Sequence, residues 1–389
     1  MHVKSILDND QYKFTMQQAI MKLGFAAVPV EYNFKCRNED IFFTPEMADE
    51  IFNEIMELQT LKLSNSELNY MKGIRYFSKE YIEFIKYFRF DPELVFFTYV
   101  PETGEIKIRV IGGWFRSILY EVPILTIVSS VYMKHKHANA MKADKLLDEK
   151  LDLISQYPDF RYMEFGTRRR MDYDFHNRLV FRCKKETPDQ FLGTSNMHFA
   201  MIHDVKCFGT MAHEWLQAHQ QLKYRVADSQ RMAFENWIEV YRGDLGIALS
   251  DVINTDAFLK DFDDPFLYKL FDGVREDSEP DPINFGHRMV NFYFSKGIDP
   301  LSKTIVFSNS LSFEKAIRIH NEFKNLIGNT YGIGTYLTND CGIKPLNIVM
   351  KMVKCNGQHV AKISNSPGKG MCESEEYVNY LKSVYNVKE

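Results

Sequence analysis

His213 stands where a strand-like lead-in meets a helical pattern. Val205, Cys207 and Phe208 run into Gly209-Thr210, and His213 then opens HEWLQAHQ. A side chain at such a junction either caps the helix or points at a ligand. Similar junctions recur along the chain beyond about residue 160. Their tips carry Arg168, Ser195, His213, Asp251, Arg275 with Asp277, Ser308 with Asn309, and Gly332 to Thr335. Core packing does not call for such a set. A phosphate-bearing substrate does: arginine forks grip planar anions, backbone N–H groups in glycine-rich loops cradle phosphate, and carboxylates hold a sugar hydroxyl or Mg²⁺. Singly, each tip has a plain structural reading. GIGT (332–335) is a tight turn, Asp251 caps the next helix, Phe165 is core, and Arg169 and Arg170 lie on a solvated face. The joint arrangement carries the argument. A Schiff-base aldolase needs a lysine at a strand end, and these tips hold none. A glycosidase needs two placed carboxylates, and Asp251 and Asp277 satisfy that by count.

The elements that position these tips follow from periodicity. Residues 1–135 read as α+β: VEYNFKCR (30–37) and EIKIRVIGGW (105–114) are strands, with a helical region over roughly 46–90 between them. A helix, ANAMKADKLLDEKLDLISQ, then leads into seven strand-plus-tip segments: YMEFGTR, FLGTSN, VKCFGTMAH, LGIALSD, VREDS, TIVFSN and TYGIGT. Helical patterns fill the gaps, among them DYDFHNRLVFRCKK, HEWLQAHQQLKYRV, DAFLKDF, FGHRMVNFYFSK and FEKAIRIHNEFKNL. Alternation of this kind implies parallel β/α units. The expected fold class is α/β, an irregular (β/α) barrel over 136–344 with an N-terminal α+β domain over 1–135. A doubly wound open sheet is the alternative. PLNIVMKMVKCNGQHVAKIS reads as a hairpin turning at Asn-Gly, whose residues (about 345–389) rejoin the N-terminal sheet.

Composition sets outer bounds. The chain has 389 residues, 45% hydrophobic, which is ample material for a large core. A net charge of -4 gives no bulk attraction to nucleic acid or to a membrane surface. No apolar run is expected to reach the length of a membrane span, and MHVKSILDNDQYK turns polar too early for a signal peptide. The 6 cysteines show no CxxC or Cys/His spacing, so reduced thiols in a cytoplasmic protein are expected and a zinc site is not.

Taken together, LDNDQYKFTMQQA, EFGTRRR, GTSN, FGTMAHEWLQAHQ, LGIALSDVINTDAFLKDF, YGIGT, KPLNIVMKMVKCNG and AKISNSPGK resemble the bacterial type of nicotinate phosphoribosyltransferase, in order and over nearly the whole chain. The resemblance implies the type II phosphoribosyltransferase fold. It also implies ATP-coupled synthesis of nicotinate mononucleotide from nicotinate and phosphoribosyl pyrophosphate (PRPP) in NAD salvage, and a homodimer with an N-terminal aromatic reaching a neighbour's site. Carried over residue by residue, His213 matches the transiently phosphorylated histidine, and Tyr12 and Phe165 match the pair around the pyridine ring. Arg168, Thr210 and Arg275 match contacts to substrate anions, with Arg168 and Arg275 serving both nicotinate and PRPP. Asp251, which also carries catalysis, and Asp277 match acidic positions near ribose, pyrophosphate and Mg²⁺. Ser308, Asn309, Gly332, Gly334 and Thr335 complete the phosphate side. Ser195 sits where nicotinamide-using relatives carry an aspartate, so a serine there implies the acid as substrate. One stretch departs from the family's DSGDP: Asp277-Ser278-Glu279-Pro280-Asp281-Pro282 leaves Glu279 or Asp281 as the second acidic position. Nicotinamide or quinolinate phosphoribosyltransferase, or a non-catalytic metabolite-binding barrel, remain the alternatives.

Overall fold

The computed structural model describes residues 1–364 and 372–387. The end of AKISNSPGK therefore lies outside the described residues. By compactness the chain forms two units: Met1–Gly209 with Ile333–Lys351, and Thr210–Gly332 with Met352–Glu389. The division expected at 135/136 follows the change from antiparallel to parallel strands. Compactness divides the chain elsewhere, at one point between Cys207 and the His213 helix and at two points inside the strands Gly328–Ile333 and Ile348–Cys355.

In the first unit, β1 (Pro29–Cys36), β2 (Val95–Val100) and β3 (Glu105–Gly113) pair antiparallel in the order β1-β3-β2. In β3 alternation does the work: Ile106, Ile108 and Val110 are buried while Glu105, Lys107 and Arg109 face out. Sequence reading missed β2. Phe96 on its outer face is exposed, so the strand VFFTYV lacks the polar alternation that marks a half-buried strand. The first part of β11 (Ile348–Cys355) lies beside β1, as the hairpin was expected to do, and Arg37 N donates to Asn347 O at 2.8 Å.

The run Trp114–His135 corrects one expectation. It is long and apolar enough to cross a membrane by length and composition, but 89% of its most apolar stretch is buried within the protein. Its hydroxyls serve neighbouring backbone: Thr126 donates to Thr167 O (3.0 Å) and Ser129 to Arg170 O (2.9 Å), which satisfies carbonyls of the turn that carries Arg168. The unit's parallel strands are β4 (Tyr162–Glu164), β5 (Phe191–Thr194) and β6 (Lys206–Cys207), ordered β6-β5-β4. Gly193 adopts φ +145°, and a Cβ there would lie 2.0 Å from Lys206 O, so only glycine lets β5 and β6 pair so closely.

The second unit holds β7 (Ile247–Leu249), β8 (Gly273–Glu276), β9 (Thr304–Phe307) and β10 (Gly328–Ile333), parallel and in that order, with Ile333 itself counted in the first unit. All seven expected strand-and-tip segments are therefore parallel strands. The helix expected to run from His213 to Val226 stops at His219. Its next residue, Gln220, exchanges two hydrogen bonds with the backbone of Ala361. The helix Ser229–Tyr241, which was not anticipated, follows. The hairpin turn stands where expected: β11 and β12 (Gln358–His359) are joined by Asn356 (φ 52°) and Gly357 (φ 76°), the two left-handed positions a tight hairpin needs.

Candidate active site

In the first unit, the site residues sit on the ends of β4 and β5 and on an N-terminal segment laid across them. Gln11 N donates to Ser195 O (2.8 Å), Met197 N donates to Asn9 O (3.0 Å), and Asp10 bridges Asn196. This fixes the start of the helix α1 (Gln11–Lys22), which carries Tyr12 and Lys13. Beneath lies a buried scaffold. Arg170 forks onto Asp8 through two 2.7 Å bonds, and both are fully buried. Burial alone would raise Asp8, but Arg170 and Asn196 hold its carboxyl down at about 2. Arg170 is thus a core ion pair and not part of the solvated face expected from the RRR run. Glu164, at the end of β4, accepts from Gly166 N and from Thr194 Oγ1 (2.5 Å for the latter), which ties the Phe165–Arg168 loop to the Ser195 loop. A Cβ on Gly166 would fall 2.2 Å from Thr338 Oγ1, so this loop has no room for a side chain.

Above this scaffold, two acids and two bases surround Tyr12. Arg168 Nε lies 3.8 Å from Asp10 and its guanidinium 3.4 Å from Glu121, while Lys13 bonds Glu121 at 2.6 Å. Arg168 and Lys13 lie 6.0 and 5.7 Å from the Tyr12 ring centre. Burial would raise Glu121, yet Lys13, Arg168 and Lys351 hold it at about 2. At Asp10 burial prevails over Arg168 and Ser195, and the carboxyl is raised. Phe165 is half-buried at the β4 end, its N–H donating to Ile333 O at 2.8 Å. Ser195 donates to Asp10 at 2.8 Å, and the helix cap beside it is Asn196. Gly334 and Thr335 open the short helix Thr335–Thr338, and neither has positive φ. Sequence reading passed over Asp10, Lys13 and Glu121. The first two lie within LDNDQYK, a signal that was visible.

In the second unit, His213 is the first residue of the helix His213–His219, as expected, and is buried. Its Nε2 lies 2.8 Å from Asp251 Oδ1 at the end of β7, and its Nδ1 lies 3.9 Å from Asp277 Oδ2. Lys362 Nζ is 2.7 Å from the same Nε2 and 2.7 Å from Asp251 Oδ2. Ser278 also donates to Asp251 Oδ2. Lys362 was not anticipated, although AKIS was noticed as a motif. Hydrogen bonds on both sides place it: Ala361 backbone with the Gln220 side-chain amide, and Ile363 N with Val252 O at 2.9 Å. Burial would raise Asp251, but His213 and Lys362 hold it well below the usual carboxylate range. Asp277 is lowered against burial chiefly by Arg275, whose guanidinium is 3.7 Å away. Arg275 Nε is buried without a hydrogen-bond partner among the described residues, which suits an anion-binding fork.

The remaining expected residues are more committed. Thr210 donates to Ile247 O at 3.0 Å, and Ser308 donates to Glu276 O (2.9 Å) and lies 3.1 Å from Asp277 Oδ1. Asn309 donates to Glu279 O at 2.9 Å, and Gly332 is buried near the end of β10. Of the two candidates for a second acidic position, Asp281 caps the helix Pro282–Ser295 and Glu279 accepts from Thr255. The carboxylates seen against the His213 ring are Asp251 and Asp277.

Comparison with known proteins follows the same lines. Residues 7–129 match the nicotinate phosphoribosyltransferase N-terminal domain, and residues 160–389 match the nicotinate phosphoribosyltransferase family. A nicotinate phosphoribosyltransferase of Cupriavidus necator is 44% identical over 100% of this chain and 99% of its own length, and one of Bordetella pertussis is 44% identical over 100% and 96%. The crystal structure of nicotinate phosphoribosyltransferase from Vibrio cholerae superposes with a TM-score of 0.95 at 35% identity, covering 100% of this chain and 95% of that one. That from Porphyromonas gingivalis gives 0.93 at 34%, covering 99% and 100%.

Proposed function

Because the chain belongs to the nicotinate phosphoribosyltransferase family, we propose that it couples phosphoribosyl transfer from PRPP onto nicotinate to ATP cleavage through a phosphoryl group carried by His213, as the first step of NAD salvage. The observation that carries this is the shared contact of Asp251 and Lys362 with the ring of His213. An imidazole nitrogen attacks the γ-phosphorus of ATP, and the bond to the bridging oxygen breaks with its electron pair leaving on ADP. The phosphorylated ring carries positive charge, which Asp251 offsets at 2.8 Å. The phosphorus–nitrogen bond is labile, and its hydrolysis resets the histidine. In the transfer step the pyridine nitrogen of nicotinate displaces pyrophosphate at the anomeric carbon, where positive charge develops.

Arg275, with its unmatched Nε, suits the pyrophosphate or another phosphate oxygen. Tyr12, Phe165 and Arg168 suit an aromatic carboxylate. Magnesium fits Asp277 and does not fit Asp251. Both oxygens of Asp251 are taken up by His213, Lys362 and Ser278, with an ammonium 2.7 Å away, whereas Asp277 is partly exposed and could share an ion with substrate phosphates. When bound, that ion would neutralise the leaving pyrophosphate. The test compares nicotinate, nicotinamide and quinolinate as acceptors, each with and without ATP. Nicotinate should be used best and ATP should raise its use. Equal or better use of either other base, or indifference to ATP, overturns the reading.

A further inference from the structure

Away from both clusters described above, metal-ligating side chains from three separate stretches of the first unit converge. Glu50 and Glu54 lie one turn apart on the helix Pro45–Glu57, which puts both carboxylates on one face. His2 meets them from the N-terminal segment, and His135 from the end of the helix Glu121–His135. His2 Nδ1 is 2.7 Å from Glu54 Oε1, and His135 Nε2 is 2.8 Å from Glu50 Oε2. One ligand atom from each of His2, Glu50 and Glu54 lies within 4.8 Å of the others. Two carboxylates one turn apart repel each other. Burial would raise both acids, yet His2 holds Glu54, and Lys134 with His135 holds Glu50, below the usual carboxylate range. Both are therefore charged and able to ligate.

We propose that His2, Glu50, Glu54 and His135 bind one divalent transition-metal ion of the zinc type, which fastens the N-terminal segment to two helices of the first unit. Two carboxylates balance the charge of the ion. Two imidazoles beside them favour Zn²⁺ over Mg²⁺ or Ca²⁺, which take oxygen ligands. The expectation against zinc rested on cysteine spacing, and this set contains no cysteine. In a tetrahedral zinc site neighbouring ligand atoms stand roughly 3.3 Å apart. The two His–Glu pairs must open by about 0.5 Å, and the wider separations must close by at most about 1.5 Å, which rotation of the long glutamate side chains supplies. The ion takes the place of the proton that each imidazole shares with its carboxylate, and those protons leave to solvent. Glu54 Oε2 keeps its bond from His2 N at 2.6 Å while Oε1 ligates. Two cations compete: Lys134 Nζ, 2.7 Å from Glu50, and the Met1 amino group, 3.6 Å from Glu54. The Lys134 side chain is 62% exposed and Met1 is exposed too, so both can turn into water. The segment that the ion would fasten leads into Asp10 and Tyr12. Arg170 already pins it twice, at His2 O (2.7 Å) and at Asp8.

The test is Zn²⁺ titration by calorimetry on the full chain after treatment with a chelator, with amide hydrogen exchange of the segment around residues 2–12 followed alongside. Wild type should bind Zn²⁺ with micromolar or tighter affinity, excess Mg²⁺ should not displace it, and Co²⁺ in its place should give the visible absorption of a tetrahedral ion. Loss of a group that merely orients a metal ligand weakens binding by roughly ten- to a hundredfold, so loss of a ligand itself should cost at least about a hundredfold. His2→Ala and Glu54→Gln should each show that loss. His2→Ala keeps the backbone carbonyl that Arg170 uses, and metal-free melting curves establish that both variants are folded. Asp277→Asn removes the carboxylate assigned to Mg²⁺ and should leave this uptake intact, which separates the two sites. Zn²⁺ should slow exchange in the N-terminal segment several-fold in wild type and not in His2→Ala. Millimolar binding, affinity unchanged in the folded His2→Ala and Glu54→Gln chains, uptake lost only in Asp277→Asn, or exchange indifferent to Zn²⁺ overturns the proposal.

Discussion

The two units bring charged groups together in opposite ways. Around Tyr12, acids and bases are balanced: Lys13 and Arg168 serve Glu121, Arg168 also reaches Asp10, and the Asp8–Arg170 fork lies locked below. Around His213 the groups share atoms: one ring nitrogen faces both a carboxylate and an ammonium, and Asp251 is claimed by three donors. A balanced arrangement makes a rigid surface suited to holding a flat anionic ring. An over-subscribed one suits a group that must change its bonding during a reaction.

The largest expected effect comes from breaking the over-subscribed cluster. Asp251→Asn leaves His213 and Lys362 without their buried counter-charge, at a cost of roughly 3–5 kcal/mol, or about a hundred- to several-thousandfold in ATP-coupled turnover. Steady-state rates alongside a melting curve check this, and near-normal coupling would mean the cluster is not the chemical centre. The scaffold under Tyr12 should respond in stability instead. Asp8 is held at about 2 against an ordinary 3.8, so its contribution is fully present above pH 3.8 and is lost as pH falls toward 2. The shift corresponds to about 2–3 kcal/mol. Wild type should lose that much between pH 5 and 2 beyond what Asp8→Asn loses, as measured by denaturant unfolding at each pH.

Arg275→Ala removes the fork with the unmatched Nε. It should raise the KM for PRPP by roughly ten- to a hundredfold, from a loss of ~1.5–3 kcal/mol, with lysine restoring only part. A KM change confined to nicotinate would move this residue to the ring-binding side. The smallest effect belongs to Ser195→Ala, which deprives Asp10 of one donor at a cost of about 0.5–1.5 kcal/mol. Its expected signature is a few-fold rise in the KM for nicotinate with no change in ATP coupling. Ser195→Asp, the substitution that resemblance to nicotinamide-using enzymes suggests, would set a second carboxylate against Asp10, since the hydroxyl it replaces is 2.8 Å away. It therefore tests packing of two acids as much as choice of base, and its melting curve must be read first.

Most of the frame was legible in the sequence because strand, tip and helix repeat with clear periodicity. His213, Asp251, Arg275 and Asp277 could be read as strand-end groups for the same reason. Lys362 could not. It lies outside the repeating units and reaches the site through hydrogen bonds of Ala361 with the Gln220 side chain and of Ile363 with Val252, between segments more than a hundred residues apart in sequence, which leave no local pattern. Glu121 was hidden inside the apolar run Trp114–His135, and Arg170 looked like a surface charge because nothing local reveals Asp8 beneath it. The strand Val95–Val100 escaped because its outward phenylalanine breaks alternation.

The central claim is that His213 carries the phosphoryl group, and direct mapping tests it. Incubated with γ-labelled ATP, the wild-type chain should take up acid-labile, base-stable label on His213 alone, discharge it when nicotinate and PRPP are added, and take up none as His213→Ala. Label on any other residue, or undiminished ATP-stimulated transfer by His213→Ala, would contradict the account.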